Sequence, residues 1–126
     1  MNITKDLKNL AQLIEQDTRK NGGASYTING AKPPAHGYMV SLPLAEWRIK
    51  THQLNDYTTM HYIGKHLAVL CNDQDRYVGT WLDEETGQVC LDVSMREETE
   101  ESARDLGEFG KQKAIYNLAT GESITL

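Results

Sequence analysis

Residues 77–94 constrain this chain more than any other stretch. Tyr77-Val-Gly-Thr-Trp-Leu82 and Gln88-Val-Cys-Leu-Asp-Val-Ser94 are two runs rich in β-branched and aromatic residues, joined by an acidic Asp-Glu-Glu-Thr-Gly connection. Such residues suit the pleated surface of a sheet, and Gly87 supplies the left-handed backbone angles that a short hairpin loop needs. A β-hairpin is therefore predicted. A Glu85-Thr86-Gly87 loop pairs Glu84 with Gln88 and sets Trp81 opposite Leu91, so that Trp81 joins Val89, Leu91 and Val93 on the core face.

The flanking sequence supplies the other layers. Ile3, Leu7, Leu10, Leu13 and Ile14 recur at helical spacing, which predicts an amphipathic helix over 4–20, ended by Asn21-Gly22-Gly23. Short strands are expected at 24–28, at 38–42 before Pro43, and at 47–50, where Trp47 and Ile49 alternate with Arg48 and Lys50. Between the first two of these strands, the connection through Pro33 and Pro34 is expected to be exposed. Asp56 is the expected cap of a second helix whose buried stripe is Met60, Ile63, Leu67 and Leu70, closed by Asn72. Ser94 and Glu97 have capping-box spacing for a third helix running to Gly110, with Gly107 and Gly110 read as its ending. Strands at 114–118 and 122–126 then form a closing hairpin around Ala119-Thr120-Gly121, where Thr120-Gly121 repeats the chemistry of Thr86-Gly87. The reading is a single α+β domain over residues 1–126, with a mixed or mainly antiparallel sheet of about six to seven short strands and three helices packed on it.

Bulk properties narrow the function classes. With 126 residues the chain suffices for one core, since domains usually run about 100–150 residues. The net charge of −5 argues against a broad nucleic-acid surface, which needs clustered Lys and Arg. No apolar run approaches the ~20 residues of a membrane span, and the charged Met-Asn-Ile-Thr-Lys-Asp start lacks a signal peptide's apolar core, so the cytoplasm is expected. Cys71 and Cys90 are expected to be free packing residues, with no disulfide.

No nucleophile–base pair, phosphate loop or metal-ligand spacing stands out, and no catalytic residue, metal or cofactor is assigned. His61 and His66, five apart, point roughly 140° from each other on a continuous helix and cannot share a metal there. His36, Ser41 and Asp92 are the residues of a small-enzyme reading, although Asp92 is read as an exposed or hydrogen-bonded carboxylate and Ser94 as a cap. Arg48, Lys50 and His52 form a basic strip suited to a small anionic or nucleotide ligand, while Trp47 on the opposite face is read as core. Glu97, Glu98, Glu100 and Glu101 crowd the expected first turns of the third helix, where the helix dipole favours them and where they present carboxylates to a basic partner.

Gly37-Tyr38-Met39-Val40-Ser41, Gly79-Thr80-Trp81-Leu82-Asp83, Val89-Cys90-Leu91-Asp92-Val93-Ser94 and Ala114-Ile115-Tyr116-Asn117-Leu118 together resemble small phage and prophage proteins of unassigned function. The resemblance carries no active site and implies a setting: such accessory proteins modulate host machinery or host defence by binding. The leading expectation is thus a mobile-element accessory protein, a host-defence inhibitor among its forms, that binds a host protein in the host cytoplasm. Its contact residues are expected to be Glu97, Glu98, Glu100 and Glu101 or the exposed loop around His36, Pro33 and Pro34. The anionic-ligand and small-enzyme readings stand as alternatives, with a structural or assembly role behind them.

Overall fold

The computed structural model describes residues 3–43, 45–72 and 75–126. Its elements are α1 (Ile3–Asn21), β1 (Gly23–Tyr26), β2 (Tyr38–Ser41), β3 (Trp47–Lys50), a 3-10 turn (Thr51–Gln53), α2 (Asp56–Lys65), α3 (Leu67–Leu70), β4 (Arg76–Asp83), β5 (Gln88–Glu97), α4 (Glu100–Phe109), β6 (Ala114–Asn117) and β7 (Glu122–Thr125). Seven strands form one antiparallel sheet in the order β1-β4-β5-β2-β6-β7, and β3 also pairs with β5. This is an α+β fold. β5 is its spine: β4 covers one edge from Gln88 to Met95, while β3 takes residues 88–91 and β2 residues 94–97 of the other.

All the helices that pack on the sheet lie on one side. Val89, Leu91 and Val93 of β5 join Leu10, Ala11 and Ile14 of α1 and Tyr62 and Ile63 of α2 in the main core. Val40, on the same face two positions along through its pairing with Met95, packs with Ala103 of α4 and Ile115 of β6. Thr18, one turn beyond Ile14, is buried too. Its hydroxyl donates to the Ile14 carbonyl at 2.6 Å, so the Thr80 hydroxyl is the donor in the 2.5 Å bond that ties α1 to β4. Leu13, expected in the stripe, is instead exposed, and the side chain of Ile3 lies outside the described residues. Gly22, at φ 83°, donates to the Thr18 carbonyl and ends the helix as expected.

The hairpin exists, but its register differs by one residue from the expectation. Asp83 pairs with Gln88 and Trp81 with Cys90, so Trp81 faces away from the helices and is 54% exposed. The turn has four residues, not three. The Asp83 carboxylate accepts from the Glu85 amide, the Thr86 hydroxyl from the Gln88 amide, and the Gly87 amide returns to the Asp83 carbonyl with Gly87 at φ 71°. The closing hairpin repeats this arrangement: Asn117 accepts from Ala119, Thr120 from Glu122, and Gly121 donates to the Asn117 carbonyl. An Asx residue four positions before the glycine folds its side chain onto the turn and lengthens it by one residue. Because side chains alternate, that residue moves the whole strand to the other face.

Four helix assignments are also corrected. Asn55, not Asp56, caps α2 and exchanges side-chain bonds with Thr58. The single second helix is broken at His66 (φ −107°, ψ 16°), giving α2 and α3 and raising the count to four helices among the described residues. Ser94 stays in β5, paired with Ser41, because a long central strand bonds on both edges there; Thr99 caps α4 through the Ser102 amide. Gly107 does not end that helix: a Cβ there would stand 2.6 Å from Leu126 and 3.1 Å from Ile115, so its bareness lets α4 press onto the sheet, and Gly110 is the cap. No helix among the described residues is long and apolar enough to cross a membrane.

Candidate functional site

Alternation along β5 places Cys90, Asp92, Ser94 and Arg96 in a row on the sheet face away from the helices. Opposite Asp92 the sheet has a gap, because the chain leaves β2 after Ser41 and returns in β3 at Trp47. The Ser41 hydroxyl donates to the Asp92 carboxylate at 2.6 Å, and the Ser94 hydroxyl reaches the same oxygen at 3.5 Å. Gly79, the cross-strand partner, makes room: a Cβ there would lie 2.6 Å from the other carboxylate oxygen. Burial holds the Asp92 carboxyl above the usual range and Glu46 adds to the shift, while the bonds from Ser41 and Ser94 oppose it. Ser41 and Asp92 do meet, but His36 does not join them. It lies beyond Tyr38, which pairs with Glu97, and five strand steps of ~3.3 Å separate Asp92 from Glu97, roughly 17 Å. The pair is thus a serine hydroxyl on a strand carboxylate, without the His36 imidazole that the small-enzyme reading places beside it.

Cys90 is similarly disarmed. Its thiol donates to Glu46 at 3.0 Å, and burial together with that carboxylate pushes it up to about 12. A nucleophilic cysteine needs the opposite surroundings. Arg48 lies 3.5 Å from both Glu46 and Asp83 and stacks over Trp81 at 6.0 Å, so its charge is already matched within the fold. Lys50 follows on the same exposed face, and His52 sits in the exposed 3-10 turn. These three residues line neither the cleft beside α1 nor the pocket beside α2.

The larger cavity, about 650 Å³, is an apolar cleft between α1, the Ile28–Gly30 segment and α3, walled by Leu7, Leu10, Leu13, Ile28, Leu67 and Cys71. The smaller, about 210 Å³, lies beside α2 and contains both His61 and His66. The two flank Tyr62 and Lys65 at the edges of the pocket, still roughly 140° apart around the helix because the His66 amide keeps its helical bond to the Tyr62 carbonyl, and His66 lies against the Tyr62 ring at 4.6 Å. Trp47 borders it. Expected in the core, it lies on the helix-facing side as foreseen but is 37% exposed, one ring face stacked on buried Tyr62 at 6.1 Å.

The four glutamates divide between elements. Glu97 is the last residue of β5, half-buried and paired with Tyr38, and Glu98 follows it outside any helix. Glu98 accepts from buried Arg96 at 2.8 Å, a bond that holds its carboxyl below the usual range. His36 approaches Glu98 at 3.8 Å, and its carbonyl accepts from Arg96 at 2.9 Å, so His36 and Glu98 do converge. Glu100 bonds Arg104 at 2.8 Å. Glu101 alone of the four belongs to the outward stripe of α4, which continues through Asp105 and Glu108 and ends at Phe109. Phe109 is 88% exposed. Position was the signal missed here: with α4 beginning at Glu100, Asp105 and Glu108 follow Glu101 at four and seven residues. No family model, curated protein or solved structure matches this chain.

Proposed function

We propose that this protein is a non-enzymatic binding module that docks on a basic surface of a host protein through the outward face of α4. Phe109 is the apolar anchor and Glu101, Asp105 and Glu108 form its charged flank. The observation that carries the reading is the exposure of Phe109 on a helix whose other side is sealed against Val40 and Ile115. A large aromatic in water at the end of an acidic stripe has the make-up of a hot spot, where one buried ring supplies most of the affinity and surrounding charges supply steering. The acidic balance of the whole chain adds to attraction toward a basic partner. The unreactive surroundings of Cys90 and the separation of His36 from Ser41 and Asp92 favour binding over catalysis. The resemblance to phage and prophage accessory proteins suggests the setting, a bacterial host with a defence component as the partner. The Glu98–His36 pair borders the start of α4 and extends the surface.

The test compares proteins retained from a bacterial lysate by the wild-type chain, by Phe109→Ala and by the triple variant Glu101→Lys, Asp105→Lys, Glu108→Lys. Circular dichroism verifies that each is folded. A basic protein retained by the wild type and lost from both folded variants supports the reading; retention unchanged by either removes α4 as the docking face.

A further inference from the structure

We infer that the pocket beside α2 is a binding site for a small planar aromatic anion, its ring against Trp47 and its phosphate or carboxylate on Lys65. The site lies outside the α4 surface and is independent of the reading above.

Three observations select the ligand. First, the walls are aromatic: Trp47 presents its ring beside the His61 edge, centroids 6.2 Å apart at 64°, and is backed by Tyr62 in a near-parallel stack, 10° between planes. A planar ring gains from such a surface beyond its buried area. Second, the pocket offers a cation for an acidic group: Lys65 makes no ion pair among the described residues, whereas Glu46, the one carboxylate in the wall, accepts from Cys90 and shares Arg48 with Asp83. Third, the volume of about 210 Å³ falls below the ~300–1,000 Å³ of sites for drug-sized molecules, so one ring system with one acidic group is accommodated and a dinucleotide is not. His66 completes the polar wall. Burial, with Lys65 nearby, lowers its basicity, so near neutral pH it offers an uncharged hydrogen-bonding imidazole.

The Tyr62 hydroxyl fixes this geometry by donating to the Ala45 carbonyl at 2.5 Å, which clamps the connection leading into β3 to α2. The pocket is consequently preformed, with little ordering cost on binding.

The chain contains two tryptophans, so Trp81→Phe leaves Trp47 as the sole indole reporter. In that background the fluorescence of Trp47 is followed against aryl phosphates such as phenyl phosphate in one arm and aromatic carboxylates such as benzoate in the other, with inorganic phosphate and neutral benzyl alcohol as controls. Saturable quenching is expected in one arm, weakened roughly tenfold or more by Lys65→Gln through loss of a charge-assisted contact. Both controls should bind at least as much more weakly. The responding arm identifies the source of the acidic group. Absence of saturation in either arm up to millimolar ligand, affinity unchanged by Lys65→Gln, or phosphate alone binding as well as the ring-bearing anions would overturn the assignment.

Discussion

Trp81 is paired with Cys90 across β4 and β5, on the sheet face turned away from the helices. Both residues belong to a row that includes Arg48, which lies over the Trp81 ring and opposite Cys90 in register. The burial on the other face falls to Val78, Thr80, Val89 and Leu91.

That division of labour sets the cost of substitution. Trp81→Ala should destabilise by about 1 kcal/mol or less, because half the ring is already in water, whereas Leu91→Ala should cost about 2–5 kcal/mol through loss of contacts and a residual cavity. Urea unfolding of the two variants measures the difference. Equal losses would mean that Trp81 is a core residue after all.

The architecture was legible in the sequence wherever local chemistry decides it. Alternation located the strands, the Leu10 and Ile14 spacing located α1, and Gly22 located its end. What was not legible were features chosen by competition between local signals. Ser94 and Glu97 have capping spacing, yet hydrogen bonds on both edges of β5 outweigh a cap. The hairpin register turned on one residue, and the decisive sign was Asp83 placed four before Gly87, the same pattern as Asn117 and Gly121. The acidic cluster was visible as composition, but its division between Glu98, paired with Arg96, and Glu101, in the outward stripe, required knowing where α4 begins. The shared pocket of His61 and His66 depends on the Ala45–Trp47 segment lying against α2, a long-range contact that helix periodicity does not specify.

Asp92 should make stability depend on pH in an identifiable direction. Its folded-state pKa is raised, so the native chain holds this proton more tightly than the unfolded chain; the resulting stability is present below the unfolded carboxyl value and is lost as pH rises through the folded one. Asp92→Asn keeps an acceptor for Ser41 and carries no charge. It should be at least as stable as wild type at pH 7, with the advantage shrinking as pH falls into the carboxyl range. Thermal melts across that range check this, and a variant penalty at neutral pH that persists in acid would contradict it.

Cysteine alkylation tests the other buried group in the row. Cys71 is exposed and should react first, whereas Cys90, buried and bonded to Glu46, should react at a rate limited by opening of the fold. Because the Cys90 thiol is held protonated up to about 12, its contribution to stability is complete below the unfolded thiol value and declines above it. Mass spectrometry of timed iodoacetamide reactions at mildly alkaline pH reads both sites. Modification of Cys90 as fast as Cys71 would be inconsistent with the geometry.

Gly107→Ala should destabilise even though alanine is the better helix former. Its methyl must displace Leu126 and Ile115, an overpacking cost of about 1–3 kcal/mol, against a helix-propensity gain of about 1 kcal/mol. Chemical denaturation distinguishes a net loss from the stabilisation that propensity alone would give.

The docking role of α4 is tested most directly by placing a photo-crosslinking phenylalanine analogue at position 109, and separately at exposed Tyr57 as a control, and irradiating each chain in bacterial lysate. Tyr57 is 81% exposed and lies on α2, away from the acidic stripe. A single basic host protein captured from position 109, absent from position 57, and competed away by unlabelled wild type but not by the triple lysine variant is the expected result. Identical capture patterns from the two positions, or capture that the lysine variant competes equally well, would contradict a binding face on α4.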